Sequence, residues 1–351
     1  MVSVSRFDSL PSSAPFSIVL CCVLLLGACS DAADRDDFIA ITGPTMGTSY
    51  AVKLYDTDGD TDADALQPQI DDLLEGINDQ MSTWRPASEL SQFNKSRDSS
   101  WFPVSAELAY VVEAAASISA LSGGAFDVTV GPIVNLWGFG PERSDARPPS
   151  EKNIERAMER VGYRHLAVRA SPSALRKQHP GVTVDLSAIA KGFAVDELAR
   201  LLDARHISSY PVEIGGELRA RGSKPDGSPW KVAIERPLAG ERSVQSVVTL
   251  YDRSIATSGD YRNYAEKGGK RYSHTINPRT GRPIAHGLAS VSVITTSAMR
   301  ADALATAIMV MGPEEGYRLA EQEALAVQLI IRCGDGFRVL ATPQFESHLL
   351  R

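Results

Sequence analysis

The stretch Ala289-Ser290-Val291-Ser292-Val293-Ile294, followed after a three-residue break by Ala298-Met299-Arg300-Ala301-Asp302-Ala303-Leu304-Ala305-Thr306-Ala307-Ile308, reads as an alternating strand that gives way to a helix. Branched residues at every second position suit a pleated strand, and a run rich in Ala and Leu suits a helix. On that helix Asp302 and Thr306 are four apart, so carboxylate and hydroxyl share one face, a turn from each other. Two hard oxygens aimed the same way suit magnesium. The same residues would equally serve as an Asp stabilising a helix N-terminus and a Thr bonding back to its own helix.

Upstream, residues 182–196 read as a strand, a tight loop of small residues and an amphipathic helix whose apolar positions continue through Leu198, Leu201 and Leu202. Small side chains let the backbone approach a ligand, while a helix N-terminus and Lys191 can oppose negative charge. The turns Ile214-Gly215-Gly216-Glu217 and Leu121-Ser122-Gly123-Gly124-Ala125-Phe126-Asp127 could likewise cradle a phosphate. Between these and the opening stretch lies Tyr272-Ser273-His274-Thr275-Ile276-Asn277-Pro278-Arg279-Thr280-Gly281. His274 ends a strand-like segment, and Asn277-Pro278 and Thr280-Gly281 force a turn, which holds the imidazole at a rim. There it could take a proton from a hydroxyl near neutral pH, or simply close the turn.

Helical periodicity marks residues 66–81, 106–121, 151–161, 189–204, 298–311 and 313–323. Strands are expected over 38–55, broken at Gly43-Pro44 and at Gly47, and predominate from Tyr163 onward to a last hairpin across Gly334-Asp335-Gly336. Strands that cluster without regular helix alternation indicate an α+β fold. There is no internal repeat and no G-x-G-x-x-G pattern. The acidic run 56–64 places aspartates alternately as in a calcium loop, but Thr61 stands where glycine is required and Gln67 where glutamate is, so it reads as a solvated hairpin tip. The Pro-, Gly- and charge-rich segment 138–149 reads as a surface loop near the mouth of a site.

At the N-terminus, Arg6 precedes an eleven-residue apolar run from Phe16 to Leu26 and then Leu26-Gly27-Ala28-Cys29. The run is too short to span a bilayer and fits a secretory signal. Its end resembles a bacterial lipobox, which implies residues 1–28 as signal peptide, a lipid on Cys29, residues 29–37 as an acidic tether and residues 38–351 as the folded domain. Removal of Cys21 and Cys22 and acylation of Cys29 would leave Cys333 as the one thiol, a structural residue in a strand. The net charge of −7 argues against nucleic acid as a partner, and the 43% hydrophobic content is ordinary for a globular domain.

Several motifs occur in one order: Gly43-Pro44-Thr45-Met46-Gly47-Thr48, the run from Met81 to Asn94, Gly124 to Thr129, Val184-Asp185-Leu186-Ser187 to Lys191-Gly192, Gly215-Gly216, Thr257 to Tyr261, His274 to Gly281, and Ala301 to Ala307. In this order they resemble the ApbE family, flavin transferases that move FMN from FAD onto a protein. The resemblance implies an α+β body of mixed, largely antiparallel sheets with packed helices, related to the T-fold, with FAD in a cleft between sheet and helices. It implies that Met46 and Trp84 line the flavin, that Ala125, Phe126 and Asp127 make a backbone-rich FAD contact, and that Asp185, Lys191 and Ile276 make further ones. Relatives often carry an acidic side chain where Lys191 stands. By the same resemblance the Ala188 carbonyl with the Asp302 and Thr306 side chains holds Mg2+ against the pyrophosphate. His274 would take the proton of a threonine or serine hydroxyl on an exported acceptor flavoprotein of the Nqr or Rnf type, with AMP released. The other activities to weigh are an FAD pyrophosphatase giving FMN and AMP, and a non-catalytic flavin-binding lipoprotein. The expected address is a bacterial membrane, more naturally the inner one, facing the periplasm and held by the lipid on Cys29.

A Cys29→Ser precursor should remain uncleaved or be released from the membrane, as read by fractionation and intact mass, because its sulfur is the lipid attachment point. Wild-type protein recovered in the cytoplasm with Met1 intact would refute the lipoprotein reading.

Overall fold

The computed structural model describes residues 38–55, 61–142, 147–238, 240, 243–260, 264–267 and 270–350, so the signal segment, Cys29, the tether and residues 56–60 of the acidic run lie outside the described residues. The main sheet has eight strands: β1 (Ile39–Thr45), β2 (Thr48–Leu54), β3 (Tyr210–Ile214), β4 (Glu217–Arg221), β5 (Arg253–Gly259), β6 (Leu288–Thr295), β7 (Ala326–Cys333) and β8 (Gly336–Ala341). Each pairs antiparallel with the next, so spatial order follows chain order. In such a meander the β1–β2 turn, the β3–β4 turn and the β5–β6 connection all leave at the same edge. Those connections carry Met46-Gly47, Gly215-Gly216 and residues 260–287, which include His274.

Five helices bear on the argument: α1 (Ala63–Met81), α2 (Ala106–Leu121), α3 (Ala190–Ala204), α4 (Ala298–Met311) and α5 (Pro313–Gln322). Their apolar faces meet one side of the sheet in a core that includes Val212, Ile214, Val291, Val293, Phe193, Leu198 and Leu304. On the other side a hairpin of strands Trp230–Glu235 and Val244–Leu250 packs with Phe345 over Ile255, Ile294 and Ile330. Strand β6 is therefore covered on both faces. Its alternation separates two cores and not core from water, and Ser290 and Ser292 are each only 1% exposed. The Ser292 hydroxyl is accommodated there by Thr257 Oγ1 at 2.8 Å.

Most expected helices form within a few residues of their bounds. Helix α1 starts three residues before the expected Leu66, at Ala63, because the Asp62 carboxylate accepts the Ala65 N–H at 3.1 Å, so the acidic run ends as a helix cap. Helix α2 opens on Ser105 as expected, and closes where Gly123 and Gly124 donate back to Ala120 and Ser119. The helix expected over 151–161 ends at Met158. Two seven-residue helices, Glu89–Lys95 and Gly131–Trp137, were too short to carry periodicity. The strand break expected at Gly43-Pro44 does not occur: β1 runs through it, as an edge strand can tolerate proline, and turns only at Met46-Gly47. Cys333 lies exposed at the end of β7. No helix among the described residues is long and apolar enough to cross a membrane.

Helices α3 and α4 make their closest approach at Gly192. A Cβ there would lie 2.3 Å from the Ala298 carbonyl oxygen and 2.7 Å from Met299 Cα, both backbone atoms that cannot give way. Gly192→Ala should therefore lower stability by about 3 kcal/mol, read as a shift of the urea midpoint at unchanged slope. An unchanged midpoint would show that the two helices part freely.

Candidate functional site

Helix α3 begins at Ile189, which has no side chain able to cap it. The missing acceptor comes from the neighbouring helix: Asp302 Oδ2 takes the Gly192 N–H at 3.1 Å. Asp302 thus does stabilise a helix N-terminus, though that of α3 and not of its own helix. The favour is returned by Asp196 of α3, which accepts from Ala298 N–H at 2.9 Å, Met299 N–H at 3.0 Å and the Ser297 hydroxyl at 2.7 Å at the start of α4. Arg219 Nη1 of β4 completes Asp196's partners at 3.2 Å.

Asp302 is 3% exposed, and burial pushes its pKa up against the opposing pull of Lys191 and the Gly192 N–H. Lys191 Nζ lies 2.6 Å from Glu217 Oε1, and Glu217 Oε2 is buried without a hydrogen-bond partner. Burial, then the charge of Asp302, push Glu217 up to about 8 despite Lys191. Loss of water pulls Lys191 down, yet Asp302, Glu217 and Glu213 together outweigh it and the net shift is upward, so the ammonium stays charged. The cluster holds more carboxylate than ammonium. The ammonium of Lys191, from which a ligand contact was expected, is thus already engaged by Glu217.

Thr306 is half-buried in a helix otherwise buried around it, and its hydroxyl lies 3.1 Å from Ser258 Oγ of β5, so it does not bond back to its own helix. Ala188 sits in the turn immediately before α3, also half-buried. The Ala188 carbonyl, the Thr306 hydroxyl and the Asp302 carboxylate are all hard oxygen donors, of the chemistry that suits magnesium and not a softer metal.

The loop before α3 is held from outside. The strand expected at 182–184 does not form, because the Asn94 side-chain amide takes the place of a partner strand: Oδ1 accepts Val184 N–H at 2.7 Å and Nδ2 donates to Val184 O at 2.8 Å. Asn94 is itself fixed by buried Lys177, whose ammonium donates to the Asn94 and Ser96 carbonyls at 2.9 Å each, and whose pKa burial pulls down to about 8. Asp185 donates its N–H to Val128 O at 2.7 Å, and its carboxylate accepts from the Ser187 N–H and hydroxyl. Asp127 is equally committed, to Thr129 N–H at 2.8 Å, Thr129 Oγ1 at 2.6 Å and Tyr163 N–H at 2.7 Å, with burial raising its pKa. Ala125 and Phe126 are buried, so the Ala125–Asp127 segment has chiefly backbone to offer a ligand.

His274 is half-buried after strand Lys270–Ser273, with its ring edge-on to Phe139 at 6.5 Å. That contact sets Phe139, at the start of the 138–149 segment, against the histidine. Ile276 is 6% exposed among Ile133, Trp137 and Ile154, so its side chain belongs to the core. The turn is pinned by Trp137 Nε1, which donates to Gly281 O at 2.9 Å. Met46 has φ +48° in the tight β1–β2 turn, a strained value for a non-glycine residue, and is half-buried against the core. Trp84 is 67% exposed, which excludes core packing of its ring, while its backbone N–H donates to Ser82 Oγ at 3.2 Å. Sequence reasoning assigned no role to Glu217, Ser258, Asn94 or Asp196. Asn94 and Ser258 lie within the motifs that carry the resemblance and Glu217 beside Gly215-Gly216, and that place was the one signal each had.

Residues 46–331 match the model of the ApbE family. The chain is similar to an FAD:protein FMN transferase of Vibrio cholerae serotype O1, 47% identical over 95% of this chain and 98% of that protein. It is also similar to one of Escherichia coli K12, 43% identical over 88% and 89% of the two chains. Among solved structures, the flavin transferase ApbE from Vibrio cholerae superposes with a TM-score of 0.83 at 46% identity, covering 89% of this chain and 99% of that one. The ApbE protein of Thermotoga maritima gives 0.79 at 27% identity, over 90% and 100%.

The carboxylate cluster makes stability pH-dependent with a definite sign. Glu217 titrates near 4.5 when unfolded and near 8 when folded, so between those values the folded state binds the extra proton. Its contribution is fully present below about 4.5 and lost as pH rises through about 8. Thermal midpoints of the metal-free protein should fall across this window, and Glu217→Gln should flatten the fall; an equally steep profile in the variant would remove Glu217 as the cause.

Proposed function

Because the chain belongs to the ApbE family, we propose that it transfers FMN from FAD to a threonine or serine hydroxyl of an exported acceptor flavoprotein, releasing AMP. The observation that carries this reading is the buried Asp302 carboxylate meeting the N-terminus of α3 beside the half-buried Thr306 hydroxyl, in a cluster richer in carboxylate than in cation. Ala188 O, Asp302 and Thr306 would hold magnesium, which when bound withdraws charge from the pyrophosphate. The positive end of α3 favours the same phosphates. The backbone of Ala125–Asp127, the strained Met46 turn and exposed Trp84 would orient the flavin, Trp84 offering a flat face free to stack. His274 would accept the proton of the incoming hydroxyl, which attacks the FMN phosphorus as AMP departs with the bridging oxygen. Export and a lipid on Cys29 would bring the enzyme to an acceptor of the Nqr or Rnf type at the periplasmic face of a membrane.

His274→Ala should leave FAD affinity nearly intact while FMN transfer falls by roughly two to four orders of magnitude, the usual worth of a positioned base. Asparagine at this position should rescue nothing, since it cannot carry the proton. FAD titration and the mass of the acceptor separate the two effects. Lost binding with unchanged turnover per bound FAD would make His274 a ligand contact.

A further inference from the structure

The Asn277–Gly281 turn carries an arginine that the proposed chemistry does not use. Arg279 spends its guanidinium in three directions: Nε donates to Gly123 O at 3.2 Å, Nη2 to Ser122 O at 2.6 Å, and Nη1 to both Glu315 oxygens at 2.9 and 3.2 Å. Ser122 and Gly123 end α2, where carbonyls have no helical partner and the dipole favours a cation. Glycine suits position 123 in this contact. It has φ +57°, and an added Cβ would stand 3.2 Å from Nη2. The turn itself is stiff on its own side, since Asn277 Oδ1 accepts the Arg279 N–H at 2.9 Å and Asn277 O accepts the Gly281 N–H at 2.9 Å.

Two residues beyond Gly123 comes Ala125, the start of the proposed FAD contact, and five residues before Arg279 comes His274. We propose that Arg279 is a positioning residue that locks the His274 turn to the Ala125–Asp127 loop, setting the distance between the proton acceptor and the bound donor nucleotide. The role rests on the transfer reading above. It calls for arginine specifically, because a planar fork can meet two adjacent carbonyls and a carboxylate at once, whereas an ammonium on a flexible stem cannot hold that plane. Glu315 orients the fork from α5 and makes no contact with either loop's backbone through the bonds described.

The test compares the lipid-free mature chain with its Arg279→Ala, Arg279→Lys and Glu315→Gln variants in two readouts. The first is amide hydrogen exchange without FAD. In Arg279→Ala, exchange should quicken by about tenfold in residues 122–127 and in 274–281 together, while the β7–β8 ladder is unaffected. The second is FMN attachment to an acceptor. There kcat should fall by about 10- to 100-fold with KM for FAD changed less than about threefold, because misplacement of reacting groups costs rate more than binding. Lysine should restore only part of the rate, and Glu315→Gln, which leaves both carbonyl contacts in place, should remain within about threefold of wild type. Quickened exchange in only one segment or in neither would overturn the lock, as would unchanged kcat in Arg279→Ala. Should Arg279→Ala fail to fold, Arg279→Lys carries the same two readouts. Failure of the wild-type protein to modify any acceptor would count against the transfer reading alone, since exchange reports the lock without it.

Discussion

Two helices that cap each other hold this molecule's site together. Asp302 of α4 accepts from the first turn of α3, and Asp196 of α3 accepts from the first turn of α4. Each carboxylate satisfies backbone donors that would otherwise be orphaned, and each sits at the positive end of the opposing dipole. Burying a carboxylate as deeply as Asp302 is costly in isolation. Here the helix end and the nearby ammonium of Lys191 offset part of that cost, and the remainder appears as a carboxylate that binds protons too readily. A divalent cation would offset the rest. The close contact at Gly192 is what lets the Asp302 carboxylate reach the helix end at all.

The sheet converts this pair into a site by simple topology. Strands that pair only with their sequence neighbours deliver alternate connections to one edge, so segments far apart in the chain converge there without long loops having to fold back. The converging loops are then fixed by cations at helix ends. Lys177 bonds the carbonyls of Asn94 and Ser96 and so steadies the amide that holds Val184, while Arg279 bonds those of Ser122 and Gly123. Both act on loops that adjoin proposed ligand contacts. Loops so held can present backbone to a ligand with little ordering left to pay on binding.

Charge explains why the cluster around Lys191 is better suited to a cation than to a bare phosphate. One ammonium faces Glu217 at 2.6 Å, with Asp302 and Glu213 also acting on it. A nucleotide pyrophosphate approaching this cluster would find its ammonium already engaged by Glu217, whereas the turn at Ala188 and the start of α3 offer backbone carbonyl and N–H groups.

Local pattern determined much of this protein. The α+β class, the bounds of α2, α3, α4 and α5, and the shared face of Asp302 and Thr306 follow from periodicity and caps, which act within a few residues. The order of motifs also determined the family and the residues expected to act. Tertiary structure alone decided what those residues touch. It turned residues 182–184 from an expected strand into a loop held by an amide 90 residues away, gave β6 two cores where alternation suggests one, and engaged the Lys191 ammonium with Glu217. It put the Ile276 side chain in the core and left the Trp84 ring in solvent, a difference the motif alone does not carry. The physical reason is common to these cases: hydrogen-bond partners and burial are set by segments distant in the chain, and local propensity carries no information about which segment will arrive.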